Sequence, residues 1–332
     1  MASIIPSKEP HVSAPPGSSV TVGGRSLRCQ DRKRRRVGSA VAVVLLVLTA
    51  CGGGGSKNAG EPAPAPAVQQ KQLSVDGMSR SYRLFTPLSL DRSRPAPLVL
   101  VLAGFGNTGQ DMVTATEFDR MAETGDFVVA YPEGVDKTWN GGYCCLGRAT
   151  AGPDDIAFLT RVIDEVQATT KIDAGRVFVV GFSAGAIMAH KLGCDLAGRI
   201  AGVGSVAGAM VLDDCRPSRP VSVIEIHGTG DGLVPYEGGR TAGGATQPSP
   251  PTVDVVKRWA ELDGCPSAPA TTAEGLLSTS TWTGCSSGSS VKLITIDGGG
   301  HTWFAPLFGS PNGAVDATGV IWEFLSGLRP RG

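Results

Sequence analysis

Short apolar runs alternate with segments of helical periodicity from residue 71 to residue 328 of the chain. The runs that predict strands are 71–75, 79–85, 97–103, 127–131, 176–182, 203–206, 221–226 and 291–296. The segments that predict helices are 117–124, 154–169, 252–262 and 317–328, together with one that begins at residue 184. Because strands and helices alternate to the end, the pattern predicts one α/β domain over residues 71–332. We expect a mostly parallel, doubly wound sheet with helices on both faces.

The first fifty residues have the pattern of an export signal. A polar N-terminal extension leads to the basic run 32–36, which precedes the apolar stretch 41–48. This stretch is shorter than the roughly twenty residues that span a bilayer. Its end resembles the lipobox of bacterial lipoproteins, so we expect an exported, extracytoplasmic protein that Cys51 anchors to the membrane through lipid. The alternative is an ordinary secretory signal that leaves Cys51 free. Residues 51–70, rich in Gly and Pro, predict a tether.

Charge is distributed unevenly along the chain. The sequence has 30 basic and 30 acidic side chains, but residues 1–50 hold eight of the basic ones and two of the acidic ones. The remaining residues are mildly acidic, with 22 basic and 28 acidic side chains. This balance argues against nucleic acid as a partner, because a polyanion binds to basic surfaces.

Cysteine usage agrees with export. Apart from Cys29 in the leader and Cys51, the chain has an even set of six cysteines, which predicts disulfides in an exported protein. They are Cys144, Cys145, Cys194, Cys215, Cys265 and Cys285. Cys265 and Cys285 bracket a Ser/Thr/Gly-rich insertion and are natural partners. Adjacent residues bridge each other only with strain, so we expect Cys144 and Cys145 to pair with Cys194 and Cys215, in either order. The spacing does not indicate a metal site.

Residues 176–190 carry the strongest chemical signal. An apolar strand breaks at glycine, presents Ser183 and continues as a helix, and Gly181 and Gly185 flank the serine in the pattern G-x-S-x-G. A nucleophile on so tight a turn needs neighbours without side chains, and its hydroxyl stands at the positive end of the helix. Residues 284–288 match the same pattern, but in a polar stretch without a flanking strand or helix. We therefore predict Ser183 as a nucleophile.

A nucleophilic serine needs a base, and the base needs a carboxylate to orient it. Three histidines follow the leader. His190 lies on the helix after Ser183, where we expect a packing role. His301 follows the strand 291–296 in a glycine-rich loop that can reach back over the strand ends, so we predict it as the base, with His227 as the competitor. Asp231 follows another strand and lies between nucleophile and base in chain order, which predicts it as the acid.

Acyl transfer also needs N–H donors for the oxyanion. We expect one from the backbone of Ala184. The other should come from the loop after strand 97–103, in which the amide of Phe105 is best placed. Such a reaction needs neither a cofactor nor a metal.

Two other interpretations compete with this one. Residues 104–109 match G-x-G-x-x-G after a strand, and Glu133 follows the next strand as a ribose-binding acid does, so a dinucleotide-binding oxidoreductase is an alternative. Two features weaken the dinucleotide-binding alternative. The helix after Gly109 is short and polar, and an exported protein has little access to soluble nicotinamide cofactors. A non-catalytic lipoprotein binding module is the other alternative.

Two roles are open for the adjacent carboxylates Asp154 and Asp155. They fit an acid/base dyad or, more simply, N-capping of the helix that they begin.

Six short motifs together resemble the secreted polyhydroxybutyrate depolymerase-like and feruloyl esterase family of α/β-hydrolases. They are Tyr131-Pro-Glu-Gly134, Trp139-Asn140 with Cys144-Cys145, Asp154-Asp-Ile-Ala-Phe158, Gly181-Phe-Ser-Ala-Gly185, His227-Gly-Thr-Gly-Asp231 and Gly300-His-Thr-Trp303. The resemblance covers about residues 70–327. Where the family usually has His-Gly after the oxyanion strand, this chain has Ala103-Gly104, so the support of that loop differs.

The resemblance implies an α/β-hydrolase fold with Ser183, Asp231 and His301 as nucleophile, acid and base. It also implies that Phe105 and Ala184 supply the oxyanion amides.

The expected function is that of an exported serine esterase, which hydrolyses carboxylic esters through an acyl-enzyme. The resemblance implies esters of hydroxyalkanoate oligomers, or feruloyl or acetyl esters. Trp139 and Trp303 either line the acyl pocket or pack in the core. The expected partners are a small-molecule or oligomeric ester and, through the lipid anchor only, the membrane.

Overall fold

Branched apolar residues form a sheet whose central strands are buried on both faces. The computed structural model describes residues 67–142, 152–212, 214–242, 247–305 and 315–330, all within the unit Gly60–Gly332. Within these residues the strands are β1 (Ala67–Val75), β2 (Met78–Thr86), β3 (Ala96–Leu102), β4 (Val128–Pro132), β5 (Ile172–Phe182), β6 (Gly202–Val206), β7 (Ser222–Gly228), β8 (Ala270–Glu274), β9 (Leu277–Trp282) and β10 (Val291–Ile296). The helices of this part are α1 (Gly109–Thr116), α2 (Phe118–Gly125), α3 (Asp155–Thr169), α4 (Ala184–Asp195), α5 (Thr252–Leu262) and α6 (Ala317–Ser326).

The strands lie in the order β1-β2-β4-β3-β5-β6-β7-β10-β9-β8. Neighbours from β4 to β10 run parallel. The pairs toward the two edges of the sheet are antiparallel. Parallel neighbours need crossover connections, and the helices that supply them pack on both faces. Helices α3, α4 and α5 share one apolar core with the sheet, and α1, α2 and α6 share the other. The predicted mostly parallel α/β architecture is confirmed.

The structure differs from the sequence prediction at both edges of the sheet. Strand β1 begins at Ala67, so the predicted tether ends before residue 70, and its polar residues Gln69 and Gln70 pair with β2. Strands β8 and β9 form a hairpin within the insertion that precedes Cys285. Their sequences are dominated by Thr, Ser and Ala, and β8 is exposed throughout. No apolar pattern therefore predicts either strand.

Two disulfides join described cysteines. Cys265 and Cys285 form the predicted pair. Cys194 bonds to Cys215, with a Cα–Cα distance of 5.3 Å. This corrects the expectation that both would pair with residues 144–145. The reason is spatial, because the buried end of α4 lies beside the buried segment that leads to β7. Disulfides persist in oxidising compartments, so the two bridges indicate an extracellular protein.

Several predictions concern residues that lie outside the described ranges. These are the export signal at 1–50, the lipidation of Cys51, and the pairing of Cys144 and Cys145. None of the described helices is long and apolar enough to cross a membrane.

The adjacent carboxylates at the start of α3 are structural. Asp154 caps the helix, accepting the N–H of Ala157 at 2.8 Å. Asp155 forms an ion pair with Arg80 at 2.7 Å, in which the side chains are 1% and 4% exposed. Its second oxygen accepts the N–H of Asn140, also at 2.7 Å. Because each carboxylate already has a structural partner, the acid/base-dyad alternative loses its support.

Asp155→Asn should lower the free energy of unfolding by about 3 kcal/mol or more, because it leaves the Arg80 charge buried without its counter-ion. Urea unfolding followed by tryptophan fluorescence measures the loss. The matched control is Asp195→Asn, which breaks a partly exposed ion pair with Lys191 on α4 and should cost less than about 1 kcal/mol. Equal losses in the two variants would contradict a stabilising role for the buried pair.

Candidate active site

Three parallel strands end at one edge of the sheet, and a predicted site residue follows each of them. Ser183 follows β5 directly, Asp231 lies three residues after β7, and His301 lies five residues after β10. Strands β5, β6, β7 and β10 are consecutive neighbours in the sheet. Since their carboxyl ends lie at the same edge, residues far apart in sequence converge there.

The turn at Ser183 requires glycine on both sides. Ser183 has φ 55° and ψ −119°, a strained conformation for a residue with a side chain. A Cβ on Gly181 would collide with the backbone of the first turn of α4. A Cβ on Gly185 would collide with the carbonyl groups of Leu102 and Ala103 at the end of β3. The close approach of β3, β5 and α4 therefore explains both glycines of the motif.

The three side chains form a continuous hydrogen-bonded chain. Ser183 Oγ lies 2.9 Å from His301 Nε2, and His301 Nδ1 lies 2.7 Å from Asp231 Oδ2. The other oxygen of Asp231 accepts the backbone N–H groups of Leu233 and Val234 at 2.8 and 2.9 Å. With its Nδ1–H donated to the carboxylate, His301 presents a free nitrogen to the serine hydroxyl.

Asp231 carries its negative charge at neutral pH. Burial by itself would raise its pKa. Hydrogen bonds from His227, His301 and the backbone of Val234 outweigh burial, so the pKa of Asp231 lies well below its usual value. The carboxylate is therefore an acceptor for the imidazole throughout the neutral range.

Backbone hydrogen bonds between their loops hold Asp231 and His301 together. The N–H of Thr229 donates to the carbonyl of Ile296 at 2.9 Å, and the N–H of Gly230 donates to the carbonyl of Gly299 at 2.9 Å. Gly228 approaches Gly299 so closely that a Cβ would collide with its carbonyl group. These contacts extend the β7–β10 pairing beyond the strands and fix the separation of the two loops.

The two predicted oxyanion amides flank the serine. Phe105 lies in a turn that is closed by the N–H of Asn107 donating to the carbonyl of Gly104 at 3.1 Å. A Cβ on Gly104 would lie 3.2 Å from Ser183 Cβ, which places this turn beside Ser183. Ala184 is the first residue of α4. In the part of the chain that the structure describes, neither N–H donates to a protein acceptor, so both remain able to bind an oxyanion.

The two tryptophans predicted as pocket residues take different places. Trp139 is 1% exposed, and its indole N–H donates to the carbonyl of Ala103 at 2.9 Å. It therefore packs in the core and supports the strand end before the oxyanion turn, rather than lining the pocket. Trp303 lines a cavity beside His301, and its indole N–H donates to Thr318 at 3.1 Å.

This cavity has a volume of about 530 Å³, and its lining is more apolar than polar. Its described lining residues are Asn107, Asp111, Met112, Thr114, Ala115, Phe182, His301, Thr302 and Trp303. The ring of Phe182 lies 5.0 Å from the His301 imidazole, centroid to centroid. An acyl group in this cavity would lie against flat aromatic surfaces beside His301, which contacts Ser183.

Protein groups already occupy the start of α1, where the dinucleotide interpretation would put a phosphate. The N–H of Gly109 donates to Glu133 Oε1 at 2.9 Å, and Thr108 and Asp111 cap the helix reciprocally. A phosphate there would meet the Glu133 carboxylate, so the geometry argues against this interpretation. Among the described residues, no group of three or more His, Cys, Asp or Glu side chains is arranged to hold a metal ion.

A buried polar cluster lies beneath the site. Glu225 has no exposed surface and lies 3.2 Å from the imidazoles of both His190 and His227. Trp259 donates its indole N–H to His190 at 3.0 Å, so His190 has a packing role. Sequence analysis did not identify Glu225. The available signal was a single acidic residue within the apolar strand 221–226.

This fold and this arrangement of side chains define an α/β-hydrolase. The model of the Phospholipase/Carboxylesterase family matches residues 152–255. Over 275 residues the chain is 31% identical to "Putative esterase NocK" of Nocardia uniformis subsp. tsuyamanensis, a match that covers 77% of this chain and 80% of that protein. The chain therefore belongs to the esterase family that includes NocK, and it is an ester-hydrolysing enzyme.

Feruloyl esterases are also similar to the chain. Feruloyl esterase C of Emericella nidulans is 26% identical over 255 residues, which cover 74% of this chain and 83% of that protein. Feruloyl esterase B of Piromyces equi is 28% identical over 228 residues, covering 65% of this chain and 41% of that protein. The solved structure of acetyl xylan esterase from Aspergillus awamori superposes with a TM-score of 0.54 at 16% identity, covering 78% of this chain and 99% of that one. This last likeness shows a shared fold.

Gly185→Ala should lower the free energy of unfolding by about 1–3 kcal/mol, because the new methyl group meets the backbone at the end of β3. It should also reduce turnover of p-nitrophenyl acetate more than tenfold, since the oxyanion turn follows that strand end. Gly198→Ala is the control, because its nearest neighbouring atom lies 3.9 Å from the added Cβ. Native turnover in Gly185→Ala would show that this close approach is not needed.

Proposed function

We propose that the protein is an exported serine esterase that hydrolyses carboxylic esters through an acyl-enzyme on Ser183. The observation that carries this proposal is the hydrogen-bonded chain from Ser183 Oγ through His301 to Asp231. The backbone N–H groups of Phe105 and Ala184 support it, since neither donates to an acceptor among the described residues. The names of the feruloyl esterase relatives agree with the reaction class.

Acylation begins when Ser183 Oγ attacks the ester carbonyl carbon and its proton passes to His301 Nε2. The carbonyl oxygen becomes an oxyanion, which the N–H groups of Phe105 and Ala184 stabilise by hydrogen bonds. The Asp231 carboxylate stabilises the imidazolium that forms. When the tetrahedral intermediate collapses, the bond to the alcohol oxygen breaks and His301 gives its proton to that oxygen.

Deacylation reverses the roles with water in place of the alcohol. His301 Nε2 takes a proton from a water molecule as the oxygen attacks the acyl carbon of the ester on Ser183. The same two N–H groups bind the second oxyanion. Collapse returns the proton from His301 to Ser183 Oγ and releases the carboxylic acid.

Ser183→Ala should lower kcat for p-nitrophenyl acetate by about 10⁴-fold or more, because no oxygen remains to form the acyl-enzyme. Its far-ultraviolet circular dichroism and unfolding midpoint should match those of the native protein. Ser286 is the serine of the second G-x-S-x-G match at 284–288, and the control variant Ser286→Ala should retain native turnover. Undiminished activity in a purified Ser183→Ala variant would refute the proposed mechanism.

For the acyl group, the cavity favours an aromatic one of the feruloyl type over acetyl or hydroxyalkanoyl groups. Phe182 and Trp303 offer flat apolar surfaces, and Met112 adds an adaptable side chain. Asn107 and Asp111 supply polar atoms at the lining. The volume of about 530 Å³ falls in the usual range for small-molecule sites.

Ala115→Trp should fill part of this cavity from α1 and lower kcat/KM for methyl ferulate at least tenfold, while turnover of p-nitrophenyl acetate falls less than about threefold. The reason is that the feruloyl group, unlike the smaller acetyl group, needs the space that the new tryptophan fills. Gln110→Trp introduces the same side chain at an exposed position of α1 outside the cavity lining, and should change neither substrate. Equal losses for both esters in Ala115→Trp would argue against this cavity as the acyl site.

Export and membrane anchoring complete the proposal. The export signal at 1–50 and a lipid on Cys51 would hold the catalytic domain outside the membrane, with the Gly/Pro-rich segment before β1 as the tether. The Cys194–Cys215 and Cys265–Cys285 disulfides support an extracytoplasmic location.

A further inference from the structure

A buried histidine lies between two carboxylates directly beneath the triad, and the proposed reaction steps do not use it. His227, at the end of β7, has its Nδ1 3.2 Å from Glu225 Oε1 and its Nε2 3.3 Å from Asp231 Oδ2. Its Nε2 also lies 2.9 Å from the carbonyl oxygen of Val234, and its Nδ1 lies 3.2 Å from the hydroxyl of Thr252 on α5. The side chains of His227, Glu225 and Asp231 have no exposed surface.

The contacts of His190, the second histidine beside Glu225, determine which of its ring nitrogens carries a proton. An indole N–H only donates, so the 3.0 Å contact from Trp259 makes His190 Nδ1 an acceptor without a proton. His190 must then carry its proton on Nε2, which donates to Glu225 Oε2 at 3.2 Å. His190 is therefore neutral, and its contact with Glu225 does not neutralise the charge of that carboxylate.

Both nitrogens of His227 face oxygen acceptors. The Val234 carbonyl only accepts, so Nε2 carries a proton. Nδ1 lies 3.2 Å from Glu225 Oε1 and 3.2 Å from the Thr252 hydroxyl, which either donates or accepts, so a proton on Nδ1 would pair with the carboxylate. Burial by itself would lower the pKa of His227, but its bonds to Asp231 and Glu225 outweigh burial and raise it to about 9. The pKa of Glu225 is lowered, because bonds from both imidazoles outweigh its burial. The proton between them therefore resides on His227.

Within the described residues, the carboxylates that contact this imidazole are Glu225 and Asp231, and the titratable His301 contacts the same Asp231 oxygen. From β7 and the following loop it meets Glu225 and Asp231, and from α5 it meets the Thr252 hydroxyl. Tyr236 presents its ring edge-on at a centroid distance of 5.8 Å, and its hydroxyl is engaged by Thr295 of β10. A charge on His227 would therefore be balanced by the two carboxylates that it contacts.

Building on the esterase function proposed above, we propose that His227 is a positioning residue. Held as an imidazolium between Glu225 and Asp231, it fixes the Asp231 carboxylate and offsets part of its charge. His227 and His301 share Asp231 Oδ2, while the backbone N–H groups of Leu233 and Val234 hold Oδ1. The carboxylate cannot rotate without losing several of these bonds. The buried cation also limits how strongly Asp231 favours the protonated form of the base.

His227→Gln is the variant that tests this role. Without the His227 cation, the full charge of Asp231 stabilises protonated His301. The acid limb of the pH profile of kcat/KM should therefore move about one pH unit upward. The kcat should fall about tenfold to a hundredfold through misplacement of the base, with KM nearly unchanged. His190→Gln is the matched control, because it disturbs the same buried carboxylate but leaves the His227–Asp231 contact intact. It should lower stability without moving the acid limb.

The stability of His227→Gln gives a second readout with a definite sign. The pKa of His227 rises from its unfolded value of about 6.5 to about 9 on folding. Its contribution to stability is therefore fully present below pH 6.5 and is lost as the pH rises through 9. Between about pH 7 and 9, the unfolding equilibrium constant of the native protein should rise up to tenfold more per pH unit than that of the variant.

The native protein tests the charge directly, even where a variant does not fold. Nitrogen-15 NMR spectra of the labelled imidazoles near pH 8 should show one histidine with both nitrogens protonated, a signal that persists in His301→Gln. The chain has four histidines, so the signals are few. The absence of any doubly protonated histidine would overturn the proposal. So would a His227→Gln variant with an unshifted acid limb and Ser183-dependent turnover, which would leave the esterase function intact. Turnover that does not need Ser183 would instead refute the proposed function.

Discussion

The positive φ at Ser183 is the constraint on which the rest of the site depends. A strained residue of this kind costs on the order of 1–3 kcal/mol and persists only where the surrounding structure enforces it. Here the enforcement comes from both sides of the turn. The N–H of Ser183 donates to the carbonyl of Val206 on the neighbouring strand, and α4 begins at the next residue. The strain places the hydroxyl above the carboxyl edge of the sheet, where the loops after β7 and β10 can reach it.

Close backbone contact links the nucleophile to the groups that surround it. Gly185 packs against the carbonyls at the end of β3, and the oxyanion turn follows that strand end at once. Trp139 ties the same strand end to the core through its bond to Ala103. On the other side, the backbone bonds from Thr229 and Gly230 join the acid loop to the base loop. The residues proposed as nucleophile, oxyanion donors, acid and base therefore lie at one connected edge of the sheet, a preorganisation that would favour catalysis because little reorientation is needed during reaction.

Patterns that depend on local sequence predicted much of this molecule. The central strands follow from apolar runs, and Ser183 follows from its position between such a run and a helix. Asp231 and His301 were predicted because parallel strands end at one edge, which constrains residues that are far apart in the chain. The β8–β9 hairpin was missed because its Thr and Ser residues carry no apolar alternation. The Cys194–Cys215 bond depends on how α4 packs beside the segment before β7, which spacing does not encode. Glu225 was missed because it is one acidic residue in an apolar strand. Its partners are His190 on α4 and His227, two residues later at the end of the same strand.

The central claim is that Ser183 forms the covalent intermediate, and a peptide map of the trapped enzyme tests it most directly. The native protein is labelled with a fluorophosphonate, digested with trypsin and analysed by mass spectrometry. Cleavage after Arg176 and Lys191 releases residues 177–191, in which Ser183 is the only serine. The account predicts one adduct per chain, on that peptide and at that serine. An adduct confined to another peptide, or an active enzyme that acquires none, would contradict it.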